Sequence, residues 1–368
     1  MGKWRYSKFG LIPQVFHFAV FFPRCMFTNG TQEKLSRFAL NLYRSNMLNS
    51  KRLTLYAAVI LAQVFWALTF IWYKQFYQVY GAYPITLVFF RLLISLLMLI
   101  PVSYFLGKLE KIKAGDLKLF FILAFFEPLM YFIGESIGVT MISSSVASVI
   151  ISTIPLFTPI SAYLFHKEYL TRASFAGIVI SILGVLLVLV NKDFQLVARP
   201  LGVLLMFLAV ASTMGYSAVI KTLTSRYNVF TITTYQNTIG ALFFLPLFVF
   251  FEGDHFMIAP ISGRAIMLVL LMSVFASTLA FLLFSYSIRG LGINKATVFN
   301  NAIPVITTIL AIIILHERLT LLQFVGMSIV IGGLLLSQLN QGHMKTMKGI
   351  MKNGYNLART GKSSGESH

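Results

Sequence analysis

Cysteine is almost absent from this chain: Cys25 is the only one among 368 residues. A lone thiol builds no disulfide framework, zinc site or iron–sulfur centre, and it says nothing about redox compartment. Charge is scarce too. Asp, Glu, Lys and Arg make up 11% of the residues, against about 25% in a soluble globular protein. Acidic groups are the scarcer sign, 11 against 30 Lys and Arg, for a formal net charge of +19. There is no Gly-rich phosphate-cradling loop of the P-loop type, which argues against ATP-driven chemistry by this chain alone. The long apolar runs hold no His or Asp, so a membrane-embedded enzyme would lack clustered reactive groups at one depth.

What is present is apolar surface. Hydrophobic residues make up 57% of the chain, including 35 Phe and 16 Tyr. At roughly 20 apolar residues per span, the length accommodates about ten membrane helices with short loops. Runs of that kind lie near 54–76, 84–106, 117–138, 140–165, 173–191, 201–221, 230–251, 264–288, 293–315 and 320–339. The expected fold class is an all-α integral membrane protein of ten transmembrane helices. Basic residues concentrate in the two tails and in short loops, a pattern of lipid headgroup contact and topology control rather than nucleic-acid binding. With a cytoplasmic N terminus, ten basic loop residues fall inside and five outside, and both tails are also cytoplasmic.

Residues 1–53 read as a basic N-terminal extension or tail and 340–368 as a basic cytoplasmic tail. The apolar patch Phe9–Phe22 holds 14 residues interrupted by Pro13 and His17. As a helix it would cover about 21 Å, short of the roughly 30 Å hydrocarbon core. Met47 opens a sequence typical of a short cytoplasmic start, so residues 1–46 are expected to stand outside the transport core.

The most informative feature is internal repetition. The 41 residues from Ala147 and the 41 from Ala296 align without gaps at 17 positions. Shared apolar residues carry little weight, but the pairs Pro155/Pro304, Glu168/Glu317, Thr171/Thr320, Gly177/Gly326 and Gly184/Gly333 carry more. The copies occupy the fourth and fifth helices of one half and the ninth and tenth of the other. An offset of five helices is odd, so the copies cross the membrane in opposite senses, as two inverted-topology five-helix repeats over 54–191 and 201–339. Such repeats place a substrate site near the midplane between the halves.

With the first-helix motif FWALTFIWYK (Phe65–Lys74), the second-helix PITLVFFRLLIS containing Arg91 and the two Pro…Glu-x-Leu-Thr…Gly segments, the chain resembles the drug/metabolite transporter superfamily in its EamA-type branch. The resemblance covers residues 54–339. Ala67 departs from the Gly that family members often carry after the Trp. The family implies ten helices, small organic substrates and usually export from the cytoplasm.

Away from the span ends, three charges fall within the expected spans: Arg91, Glu127 and Glu135. Ionisable groups at that depth are expensive and default to functional hypotheses. Arg91 is either an interhelical clamp, a residue snorkelling to the interface, or a substrate contact. Glu127 and Glu135 point about 80° apart on an ideal helix, so both could border one cavity. Either could exchange a proton during transport or simply hydrogen-bond between helices. Glu168 and Glu317, beside His166, Lys167, His316 and Arg318, are expected to cap turns and pair locally, without a metal. Pro155 and Pro304 are expected to perturb helices near mid-membrane, with Asn300 and Asn301 offering amides at cavity depth. Trp66, Tyr131, Tyr216 and Tyr286 are candidates to line an aromatic cavity, whereas Trp72 and Tyr73 read as interfacial aromatics facing lipid.

The expectation is a secondary transporter exporting small metabolites, amino acids or drugs by alternating access. The alternatives are a membrane-embedded enzyme or a channel-like facilitator. Expected partners are a small-molecule substrate, the lipid bilayer and, where transport is coupled rather than facilitated, protons, with no cofactor and no nucleic acid. A bacterial plasma membrane is the expected location.

Overall fold

The computed structural model describes residues 29–157, 172–190, 195–196, 198–258, 260–291, 296 and 298–337. The chain divides into residues 1–54 and 55–368. Of the first unit, residues 29–54 are described as helix, with side chains from Arg52 onward, and Phe9–Phe22 and the 340–368 tail lie outside the described residues. The rest concerns the second unit.

Its elements are helices. They are α1 (Asn29–Tyr80), α2 (Pro84–Phe105), α3 (Ala114–Met141), α4 (Ser144–Phe157), α5 (Arg172–Val188), α6 (Pro200–Thr224), α7 (Val229–Ile258), α8 (Gly263–Ile288), α9 (Phe299–Ile314) and α10 (Leu321–Ser337). Six of them, counting Arg52–Tyr80 of α1, are long and apolar enough to cross a membrane; α4, α5, α9 and α10 are shorter in their described parts. Local chemistry marks the ends. Pro84 and Pro200 occupy first-turn positions, where a missing N–H is harmless. Ser143, Asn228 and Ser262 cap α4, α7 and α8 with side-chain oxygens. Gly81, at φ 105°, turns α1 into α2 in a region that residues with a Cβ avoid.

Apolar residues cover the outside as well as the core: Phe105 is 84% exposed and Phe250 82%. Helices apolar all round suit lipid outside and protein inside. Several run past the apolar runs that flag them in sequence. α1 continues to Tyr80, and α7 continues to Ile258, which brings Glu252 and Asp254 into a helix.

Helices pair as α2 with α7, α3 with α6, and α4 with α9. α1 meets α8 through Trp66 against Phe281 and Phe284 and through Ser287 Oγ donating to the Leu55 carbonyl. α5 meets α10 through glycines. A Cβ on Gly177 would come within 2.5 Å of the Gly333 carbonyl oxygen, and one on Gly184 within 2.8 Å of the Gly326 oxygen. As one index rises the other falls, so the two helices are antiparallel. Between these contacts Ser181 Oγ donates to the carbonyl of Val330, 149 residues away, the offset of the sequence repeat. Exchanging each helix with the one five places later returns the same set of pairs.

Candidate functional site

Two helices lose their regular turn deep in the bundle. α3 widens to π-type turns over Phe125–Met130, and Glu127 leaves helical geometry altogether at φ −144°, ψ 113°. Pro128 supplies no N–H, so backbone acceptors here need partners from elsewhere. Gln236 of α7 provides one, its Nε2 donating to the Glu127 carbonyl at 2.9 Å. α8 widens in the same way over Met272–Leu279, and adding the 149-residue offset to Phe125–Met130 lands inside that segment. There Arg91 of α2 donates from Nε to Ser277 Oγ at 2.5 Å. Arg91 lies ten residues before Pro101, as Gln236 lies ten before Pro246. Thus α2 and α7, packed together, each send one long polar side chain into the break of another helix.

A chain of buried groups starts at the first of these contacts. Arg91 Nη1 donates to Tyr73 Oη at 2.8 Å, and Tyr73 Oη donates to Glu135 Oε2 at 3.1 Å. Tyr131 Oη donates to Glu135 Oε1 at 2.9 Å. Arg91 is 2% exposed, Tyr73 0% and Glu135 5%. The guanidinium also lies over the Phe132 ring, 4.7 Å from its centroid. One phenol therefore stands between a cation and an anion. The fixed guanidinium fork uses two of its five donors on these named partners, leaving others suited to a carboxylate.

Beside this chain, Glu127 borders a cavity of about 10 Å³ with Thr233, Gln236, Asn237 and Ser277, room for about one water. Among the described residues nothing hydrogen-bonds its carboxyl group. Asn237 Nδ2 donates to Ser95 Oγ at 2.9 Å, and Ser95 pairs with Thr278 at 2.9 Å, extending the polar seam.

The EamA-like transporter family model matches residues 53–190 and again 200–339. The chain belongs to the EamA-like transporter family. An uncharacterized transporter of Archaeoglobus fulgidus is 30% identical over 276 residues, 74% of this chain and 95% of its own. The uncharacterized transporter YcxC of Bacillus subtilis is 26% identical, covering 80% of this chain and 96% of its own. A Streptantibioticus cattleyicolor protein named a probable terminal-alkyne amino-acid exporter is 26% identical over 54% of this chain and 65% of its own. A crystal structure of a protein superposes with a TM-score of 0.57 at 15% identity, covering 78% of this chain and 97% of that one, a likeness of fold alone.

In this EamA-like transporter Arg91, Glu127, Glu135 and Tyr131 converge as a group, and Trp66 packs edge-on against α8. Tyr73 corrects the lipid-facing reading: it is fully buried and central, because α1 runs seven residues beyond it. Tyr216 is half-buried against the cluster of Phe120 and Leu123. Tyr286 is 48% exposed and does not line the small cavity beside Glu127. Asn300 and Asn301 sit in a tight 3-10 turn, Phe299–Asn301, just before Pro304, and Asn301 is buried. Pro155 follows a break at Thr153, and Pro304 is buried in α9 just after its first turn. Glu317 does not pair locally. It accepts from the backbone N–H of Ser144 and Ser145 and from Ser145 Oγ, at the start of α4. Glu168, His166 and Lys167 lie outside the described residues. Sequence reasoning centred on charge missed Ser277, Gln236 and Asn237, although the run Thr234-Tyr235-Gln236-Asn237-Thr238 is conspicuously polar for a membrane helix.

Proposed function

We propose that this protein is a ten-span secondary transporter that exports small zwitterionic organic solutes by alternating access. Its two five-helix halves, 54–191 and 201–339, are related by inverted topology. The observation that carries the reading is the pair of equivalent helix breaks, in α3 and α8, each met by a polar side chain from the α2–α7 pair. Discontinuous helices at a repeat interface are where transporters bind solutes. The self-mapping helix pairs and the Ser181–Val330 contact support the inverted relation. Arg91 receives the carboxylate of the solute, and Glu135 and Glu127 face its ammonium group. Glu127, bordering the cavity without a fixed partner, carries the coupling proton. The amino-acid exporter among the relatives supports both the substrate class and the direction. The excess of basic residues in loops on one side supports cytoplasmic termini, and the bacterial relatives support a bacterial plasma membrane.

Counterflow in proteoliposomes tests this reading. Purified protein preloaded with an unlabelled amino acid should accelerate uptake of the labelled one, and Arg91→Ala should abolish that exchange. Conductance without exchange would sink the carrier reading.

A further inference from the structure

At the end of the bundle where α2 and α4 begin, helix starts are tied by carboxylates reaching in from distant elements. α2 has no cap of its own, since Tyr83 makes no side-chain capping bond. Its orphan N–H groups go to Glu252 of α7: Ile85 N donates to Oε1 at 3.2 Å and Thr86 N to Oε2 at 2.6 Å. Glu252 is 8% exposed and ends a π-type segment of α7, Phe248–Glu252. A carboxylate on helix N–H groups is favoured both by hydrogen bonding and by the helix dipole. Glu317 caps α4 at the same end, reaching it from the connection between α9 and α10.

The opposite end is tied differently. There α7 is capped by its own Asn228, whose Oδ1 accepts from Thr231 N at 3.0 Å. The ties between elements run through loops: Thr231 Oγ1 and Asn228 Nδ2 donate to the Lys108 carbonyl, Asn228 N donates to Glu110 Oε2 at 3.2 Å, and Arg226 and Tyr227 donate to Asp116. Arg226 is half exposed, and exposed pairs contribute little.

The same end also strands polar groups. Tyr80 Oη, Thr86 Oγ1 and His255 Nε2 are buried without a hydrogen-bond partner among the described residues. His255 stacks on Tyr83 with centroids 3.6 Å apart and meets the Tyr80 ring edge-on. Buried unpaired groups penalise the closed arrangement, and water relieves them on opening. Strong carboxylate bonds set against stranded partners make a two-state element rather than a permanent weld.

We propose that Glu252 is the latch of this end: it positions α7 on the start of α2 and biases the transporter towards the state closed there. The inference rests on the alternating-access reading for its place in a cycle, but its test needs no substrate. With Cys25→Ser as background, Ala265→Cys places a thiol at a 1% exposed position lining the 160 Å³ apolar cavity beneath Thr86. Ser103→Cys places one at a fully buried position near the other end of α2. Labelling by a membrane-impermeant maleimide is measured for each in proteoliposomes. Glu252→Gln should raise the Ala265→Cys rate about tenfold, the ratio that accompanies loss of about one charge-assisted hydrogen bond. The Ser103→Cys rate should stay level or fall. Thr86→Pro, which removes the shorter donor at a first-turn position that tolerates proline, should act alike. No rise at Ala265→Cys in either variant, or an equal rise at both positions, would overturn the latch. A one-ended rise in a protein that fails counterflow would overturn the transport reading alone.

Discussion

Tyr73 and Glu135 are 62 residues apart in sequence and meet across the contact of α1 and α3, the phenol donating to Oε2 at 3.1 Å. The phenol oxygen of Tyr73 in turn accepts from Arg91 Nη1, so a neutral group holds a buried cation and a buried anion at fixed spacing. A direct ion pair would consume both charges. The phenol leaves each with unused valence in a medium where unpaired charge is expensive.

Tyr73→Phe keeps the ring and removes the spacer oxygen. It should cost about 1–2 kcal/mol, the range for a buried bond in a membrane bundle, since Arg91 and Glu135 each lose a partner. Thermal unfolding in detergent measures it. An unchanged midpoint would mean the two charges find other partners.

Arg91→Lys keeps the charge but not the fork, and one ammonium cannot serve Ser277 and Tyr73 in the same geometry. Half-saturation for carboxylate-bearing solutes should rise about tenfold, the effect of losing about 1.4 kcal/mol of binding. Uptake curves for the wild type and variant decide it.

Glu127→Gln should abolish accumulation driven by a pH gradient, because an amide cannot carry the proton. Counterflow should persist, since exchange without net movement need not release one. Gradient-driven uptake equal to wild type would return Glu127 to a structural role.

Gly177→Val forces a Cβ to within 2.5 Å of the Gly333 carbonyl oxygen, backbone that cannot yield cheaply. Overpacking of this kind costs about 1–3 kcal/mol and should lower the melting midpoint. Gly332→Ala, one residue from that seam, meets nothing within 4 Å and should be neutral or stabilising by up to about 1 kcal/mol. Comparing the two separates contact from helix propensity.

Sequence displayed part of this arrangement and concealed the rest for definite reasons. Arg91, Glu127 and Glu135 stand out because charge is rare in an apolar run. Pro128 marks the α3 break, but nothing so visible marks the equivalent break in α8, where Ser277 is the only polar signpost in contact with Arg91. Tyr73 was obscured by the assumption that an aromatic near the end of an apolar run lies near the end of its helix. Tyr286 is a related case: in helices apolar on every side, periodicity does not say which face turns inward. Gln236 and Asn237 escape any search based on charge. The partners of Glu252 and Glu317 lie some 170 residues away, beyond the reach of local capping rules.

The seam between α5 and α10 has the geometry of self-recognition. Ser181 faces its own equivalent, while Gly177 finds Gly333 and Gly184 finds Gly326, so each surface is its own complement. Contacts of this isologous kind are what hold twofold homodimers together. Severing the chain between α5 and α6 should therefore leave two fragments able to find each other again in a bilayer. What the covalent join contributes is fixed stoichiometry, and with it the liberty for one half to keep an arginine where the other carries Gln236.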